Sequence, residues 1–136
     1  MTYPLSFAIT RDYSAGDAIR LPVTLNSGGE QVRADAFVDT GAPCCVFKRE
    51  LAVSLGIDVE AGAPVHFGTV TGGFDAYGHT LTLETLGYSF DVAVYFAAHE
   101  RLPRNVLGRR GWLDRVRLGL VDYDGKMYLS KYDDEG

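Results

Sequence analysis

Ala36-Phe37-Val38-Asp39-Thr40-Gly41-Ala42 is the stretch whose reading decides the fold. An apolar run that belongs inside a sheet ends abruptly in a carboxylate, a hydroxyl and a glycine. A buried strand therefore delivers an acid to the mouth of a turn, which is how a catalytic acid is presented. Asp, Thr and Gly are also ordinary turn residues, so the triplet by itself fits a plain strand-to-turn junction equally well. The residues around it separate the two readings.

Upstream, Ile19, Leu21, Val23 and Leu25 repeat with period two, and Pro22 on the opposite phase puts that strand at an edge. The turn cluster Asn26-Ser27-Gly28-Gly29-Glu30 follows, and Val32, Ala34, Ala36 and Val38 carry the return strand into Asp39, so a hairpin feeds the loop. Further back, Leu5, Phe7 and Ile9 predict a first strand, broken at Ser14-Ala15-Gly16-Asp17. Downstream, Val46 and Phe47 resume a short buried strand, and Phe47, Leu51 and Leu55 recur at helical spacing up to the C-terminal glycine Gly56. Residues 64–71 and 74–77 read as extended, with Gly72-Gly73 as the hairpin tip between them.

Leu81, Leu83, Phe90, Val92, Val94 and Phe96 alternate around Leu86-Gly87, which predicts a second long hairpin. It leads into Asn105-Val106-Leu107-Gly108-Arg109, again an apolar strand ending in glycine. Trp112, Leu113 and Val116 predict the apolar face of a short helix. Leu118, Leu120 and residues 126–130 then flank Asp122-Tyr123-Asp124-Gly125 as a terminal hairpin, and Asp133-Asp134-Glu135 reads as a solvated tail. Hairpin, apolar strand, glycine and helix thus occur twice, a weak internal repeat in which only the first copy carries an acid.

The Asp-Thr-Gly-Ala loop, the glycine-bearing hairpin Thr69-Val70-Thr71-Gly72-Gly73-Phe74 and the Val106-Leu107-Gly108 strand stand in the order found in the retroviral-type (retropepsin-like) aspartic proteases. The sequence resembles that family over about residues 21–120, as a single-domain member of bacterial type. The resemblance implies an all-β, retropepsin-like acid protease fold: a closed barrel-like half-lobe with a flap hairpin and one or two short helices. One domain would span 1–136, with 131–136 as a flexible tail.

It also implies an aspartic endopeptidase acting on extended peptide or protein. That chemistry needs two carboxylates sharing one proton, one to activate water and one to protonate the carbonyl oxygen. The chain supplies a single such acid, so the second would come from another copy in a two-fold homodimer. By resemblance, Asp39, Thr40 and Gly41 are catalytic, Thr40 bonding across the axis and Gly41 holding substrate through its backbone. Ala42, Val46, Val70, Thr71, Gly72, Gly73 and Val106 would contact substrate. Ala42 stands where pepsin-like enzymes have a hydroxyl residue, so one donor to the carboxylate is missing. Arg109 matches the arginine that in the viral enzymes pairs with an aspartate just past the active loop, but Pro43-Cys44 offers no such partner. The viral enzymes dimerise through interleaved chain ends, whereas this chain finishes in its own hairpin. The alternatives are a binding or dimerisation module that keeps the fold without turnover, and a structural β-domain in which Asp39 caps a turn.

Composition bounds the rest. At 136 residues the chain is long enough for one core and too short for two lobes, and 23% charged residues argue against disorder. A net charge of -5 without a basic cluster makes nucleic acid and anionic membranes poor partners. The two cysteines, Cys44 and Cys45, are neighbours that point to opposite sides of an extended segment; they read as reduced, buried hydrophobes, which fits the cytoplasm. No CxxC or HExxH spacing occurs, and His66, His79 and His99 read as surface or satisfied, so neither metal nor cofactor is expected. The first five residues lack the basic and apolar regions of a signal peptide, and no run reaches membrane-spanning length.

Overall fold

Alternation of Leu21, Val23 and Leu25 with polar neighbours turns one face of strand β2 (Arg20–Ser27) inward, where all three side chains are buried. The computed structural model describes residues 5–134. β2 turns back into β3 (Glu30–Val38) with Leu21 opposite Ala36 and Pro22 opposite Asp35. The sheet continues through β4 (Val46–Phe47), β5 (Ala63–Thr69), β6 (Gly72–Thr85), β7 (Tyr88–Ala97) and β8 (Asn105–Leu107). Its order is β2-β3-β8-β4-β7-β6-β5, and a further β2–β6 pairing over Thr24–Asn26 joins the two sides. Six strands, β2, β3, β8, β4, β7 and β6, therefore close into a barrel, while β5 lies outside the ring on β6. Pro22, which has no N–H to give, sits on the part of β2 that pairs with β3 alone.

The barrel is filled by Phe47, Leu83, Val94, Phe96, Leu107 and Trp112, each contributing roughly 1.5–3 kcal/mol through burial. Helix α1 (Arg49–Ser54) packs Leu51 and Ala52 against this core. It ends as Gly56 N–H bonds Val53 O and Ile57 N–H bonds Ala52 O, the paired bonds of a Schellman close. A second sheet, β1 (Ile9–Asp12), β9 (Val116–Val121) and β10 (Lys126–Lys131), has the antiparallel order β1-β10-β9. Its Met127 and Leu129 belong to the same core cluster.

Four sequence expectations change. The first strand begins at Ile9, not Leu5, because Ala8 N–H donates to the Ser130 hydroxyl and the backbone ladder starts only at the Ile9–Leu129 pair. The helix after Gly108 shrinks to one 3-10 turn at Leu113–Arg115. Leu113 N–H reaches Gly108 O and Asp114 N–H reaches Arg109 O, five residues back, so the α-helical ladder never starts, and β9 claims Val116. The tip of the β5–β6 hairpin is Val70-Thr71 rather than Gly72-Gly73, since Thr69 pairs with Gly72 and Gly68 with Gly73. Val70 and Thr71 keep negative φ, so theirs is not the primed turn that matches strand twist; Gly72 and Gly73, at φ 134° and 149°, absorb the mismatch. Finally, β6 runs unbroken from the tip to Thr85, so the two expected hairpins share one strand. The expected tail is still strand at Lys131, and Glu135 and Gly136, like Met1 to Pro4, lie outside the described residues.

One glycine ties the two halves together. β3 and β8 run parallel, with Phe37 opposite Val106 and Val38 opposite Leu107, so the chain passes Gly108 beneath the 42–44 segment. A Cβ on Gly108 would fall on the Cys44 carbonyl oxygen and lie 2.8 Å from Ala42 O. Gly108→Ala is therefore expected to cost about 3 kcal/mol through backbone overpacking and to lower Tm by roughly 10 °C, measured by thermal melting. An unchanged Tm would mean that this crossing is loose.

Candidate active site

Asp39 is placed by the β3–β8 ladder, which its own N–H extends by donating to Leu107 O at 3.0 Å. Buried Asn105 clamps the base of that ladder: its Nδ2 donates to Asp35 O at 3.0 Å, and its Oδ1 accepts Lys48 N–H at 2.8 Å. Beyond the strand, Ala42 N–H closes a turn onto Asp39 O at 3.1 Å, and Gly41 N–H donates to Asp39 Oδ1 at 3.0 Å. The loop's own backbone thus orients the carboxylate. Arg109 N–H bonds Ala42 O at 2.8 Å and Arg110 N–H bonds Pro43 O at 3.0 Å, so the two strand-ending loops hold each other. Asp39, Thr40 and Gly41 are all exposed in the single chain.

Asp39 opens onto a cleft of about 860 Å³. Ala42, Val46 and Val106 form its floor, and Thr71, Gly73, Phe67 and Phe74 of the β5–β6 hairpin face them. Asp39 is the one carboxylate on the lining among the described residues. Of the expected site residues, the fold brings together Asp39, Ala42, Val46, Thr71, Gly73 and Val106. Thr40 and Gly41 stand at the exposed loop beside the cleft, Gly72 is off its lining, and Val70 is fully exposed at the hairpin tip.

Over residues 21–111, more than half of its length, the sequence matches the aspartyl protease family. The chain belongs to that family. Its fold is retropepsin-like. A retropepsin-like aspartic protease from Rickettsia conorii superposes with a TM-score of 0.64 at 22% identity, over 83% of this chain and 89% of that one. EIAV protease, complexed with the inhibitor HBY-793, superposes with a TM-score of 0.55 at 20% identity, over 71% of this chain and 86% of that one. No curated protein matches by sequence.

Sequence reasoning missed several residues of this aspartyl protease cleft. Phe67 and Phe74 are cross-strand partners with ring centroids 5.5 Å apart, Phe67 meets Tyr95 edge-on and Phe74 meets His99 edge-on. His66, bonded through Nδ1 to Asp75 Oδ1 at 2.8 Å, and His99, which accepts Arg101 N–H, both line the cleft besides being satisfied. Leu102, Pro103 and Arg104 enter from a loop without periodicity, which offered no signal. Arg109 makes no side-chain ion pair among the described residues; its contribution is the backbone bond to Ala42.

Cys44 lines the cleft and Cys45 the core, on opposite sides of the extended segment. Burial pushes both thiols up, Cys45 to about 12. The thiolate is the reactive form, so neither cysteine is expected to react with a disulfide reagent at pH 8 until the chain unfolds, as a thiol titration with and without denaturant will show. Fast labelling of Cys45 in the folded protein would contradict its burial.

Gly73 limits the hairpin in a different way. A Cβ there would fall on the Phe67 carbonyl oxygen and lie 2.7 Å from His66 Nε2, whereas one on Gly68 meets nothing within 4 Å. Gly73→Ala is expected to raise amide exchange across residues 66–75 about tenfold or more while moving Tm by under about 3 °C, because β5 lies outside the closed ring. Gly68→Ala should change neither. Equal exchange in both variants would show that the hairpin tolerates a side chain at Gly73.

Proposed function

We propose that the protein is an aspartic endopeptidase that hydrolyses peptide bonds as a homodimer, with one Asp39 from each copy forming the dyad. The observation that carries this reading is the position opposite Asp39 in the same chain. The β3–β8 register puts Gly108 there, where no side chain fits. A second carboxylate must come from elsewhere, and Asp39 is exposed to receive it. Two carboxylates in contact cannot both ionise, so the pair holds one proton: the ionised member takes a proton from water while the other donates to the substrate carbonyl.

In this reading Thr40 bonds across the two-fold axis. Gly41 N–H is already committed to Asp39 Oδ1, which leaves the Gly41 carbonyl to accept a substrate N–H. Ala42, Val46 and Val106 provide an apolar floor for side chains flanking the cleaved bond. The β5–β6 hairpin serves as a flap: the backbone of β5 pairs with β6 alone, and Val70, Thr71, Gly72 and Gly73 at the hairpin's end close over an extended peptide. The chemistry requires two carboxylates and water. We treat residues 1–136 as one domain and, on the ground of two free buried thiols, place it in the cytoplasm. No helix among the described residues is long and apolar enough to cross a membrane.

A binding module without turnover has one observation in its favour. Ala42 offers no hydroxyl to Asp39, and Gly41 N–H is the carboxylate's one donor among the described residues. Peptide binding by wild type without any cleavage that Asp39→Asn removes would favour that reading.

Shared catalysis is tested by mixing wild type with Asp39→Asn and allowing subunits to exchange. A mixed dimer holds one ionisable acid and is expected to be inactive, so an equal mixture retains about one quarter of the wild-type rate per total chain, against one half for independent monomers. Initial rates against mutant fraction should follow the square of the wild-type fraction. A linear dependence, with exchange shown to be complete, would rule out the two-chain dyad.

A further inference from the structure

The loop between β7 and β8 carries a fixed positive charge to the wall of the cleft. Arg104 lines the cleft, and its guanidinium carbon lies 4.7 Å from the centroid of the Phe37 ring. Stacking on an aromatic face anchors a guanidinium and leaves its in-plane N–H donors free. Among the described residues those donors bond nothing.

The anchor fixes where the charge sits. Phe37 pairs with Val106 in β8 and precedes Asp39 by two residues, so along an extended strand it shares the face of Asp39 about 7 Å away. A peptide lying extended in the cleft advances about 3.3 Å per residue. A side chain within two positions of the scissile bond is therefore the one that meets Arg104.

Among the described residues Arg104 is the one lysine or arginine on this lining. Apart from Asp39, the ionisable groups on the lining besides the thiol of Cys44 are His66, His99 and Arg104. Asp75 is paired with His66 and off the lining, and Glu100, in the same loop as Arg104, also lies off it and acts on Arg49. A cation on the cleft wall is not inherited from the overall composition of a chain of net charge -5. A substrate carboxylate this close to a negatively charged dyad would be repelled unless a cation received it, and Arg104 offers a planar fork that matches a carboxylate.

We propose that Arg104 is a specificity-determining residue that selects peptides with an aspartate or glutamate within about two positions of the cleaved bond. This rests on the endopeptidase reading above. A charge-assisted bond to a carboxylate is expected to favour glutamate over the isosteric glutamine about tenfold to a hundredfold in kcat/KM.

The test starts from one peptide that wild type cleaves and Asp39→Asn does not. Each position flanking its scissile bond is then replaced in turn by Glu, Gln and Lys, and kcat/KM is measured for wild type, Arg104→Gln, Arg104→Lys and Arg104→Glu. Ratios within each variant remove any general change in activity, and Arg104 is exposed, so the variants are checked for folding by thermal melting. Wild type should show a Glu/Gln ratio above about ten at one position, falling with salt. Arg104→Lys should show a smaller ratio and Arg104→Gln a ratio near one, while Arg104→Glu should prefer Lys. A wild-type ratio near one at every position, or a ratio that survives in Arg104→Gln, would overturn the assignment while leaving the protease reading intact. Failure to find any peptide whose cleavage depends on Asp39 would instead overturn the protease reading and this inference with it.

Discussion

The close passage of Gly108 beneath the Ala42–Cys44 carbonyls is the constraint on which the rest of the structure depends. It lets β8 lie parallel to β3, and a parallel neighbour is what holds the end of β3 rigid at the residue where the acid leaves the sheet. The Asp39 N–H, the Arg109 N–H and the Arg110 N–H all find backbone partners across this crossing, so the two loops satisfy each other's polar groups. The same crowding forbids a side chain opposite Asp39. The same steric fact that positions one carboxylate also keeps position 108, next to it in the β3–β8 register, free of any side chain.

Barrel closure distributes stability unevenly. The six-strand ring and the second sheet share one buried cluster, whereas β5 contributes only partly buried residues and pairs on one side. Loss of the β5–β6 tip therefore costs little of the core, which is the condition for a hairpin that opens and closes on its own. The aromatic contacts of Phe67 and Phe74 with Tyr95 and His99 tie the hairpin, three pairs from its tip, to β7 and to the loop after it while leaving Val70 in solvent.

Much of this was legible because it rests on local chemistry. The β2–β3 hairpin, the helix ending at Gly56, the Leu86-Gly87 turn and the terminal hairpin all follow from period and punctuation, and the order of loop, glycine hairpin and second strand gave the family. What escaped was register. Taking Gly72-Gly73 as the tip puts Phe67 opposite Gly78, four residues from its real partner Phe74, so the aromatic pair of the cleft could not be seen. Val70 and Thr71 are poor turn formers by composition, and the glycines after them carry the unusual φ, so the sequence signal points two residues too late. The helix expected after Gly108 failed for a tertiary reason: Trp112 is drawn wholly into the core and Val116 into β9, leaving three residues to turn.

The arginine wall was hidden for a different reason, which bears on how such sites are read. Arg104 lies in a stretch with no periodicity, and nothing in its neighbours marks it. Its position becomes meaningful only once parallel pairing has placed Phe37 beside Val106, because the ring that anchors the guanidinium comes from a strand almost seventy residues earlier. A second arginine, Arg20, approaches the same ring at 5.8 Å from β2, so Phe37 gathers positive charge from β2 on one side and from the loop before β8 on the other. The acid-presenting strand therefore carries, two residues before its carboxylate, an apolar residue that works as an electrostatic mount. In the proposed reaction Asp39 supplies chemistry that is indifferent to the side chains of the peptide. In that reading selectivity comes from the walls, and among the described residues Arg104 is the cation on the cleft lining.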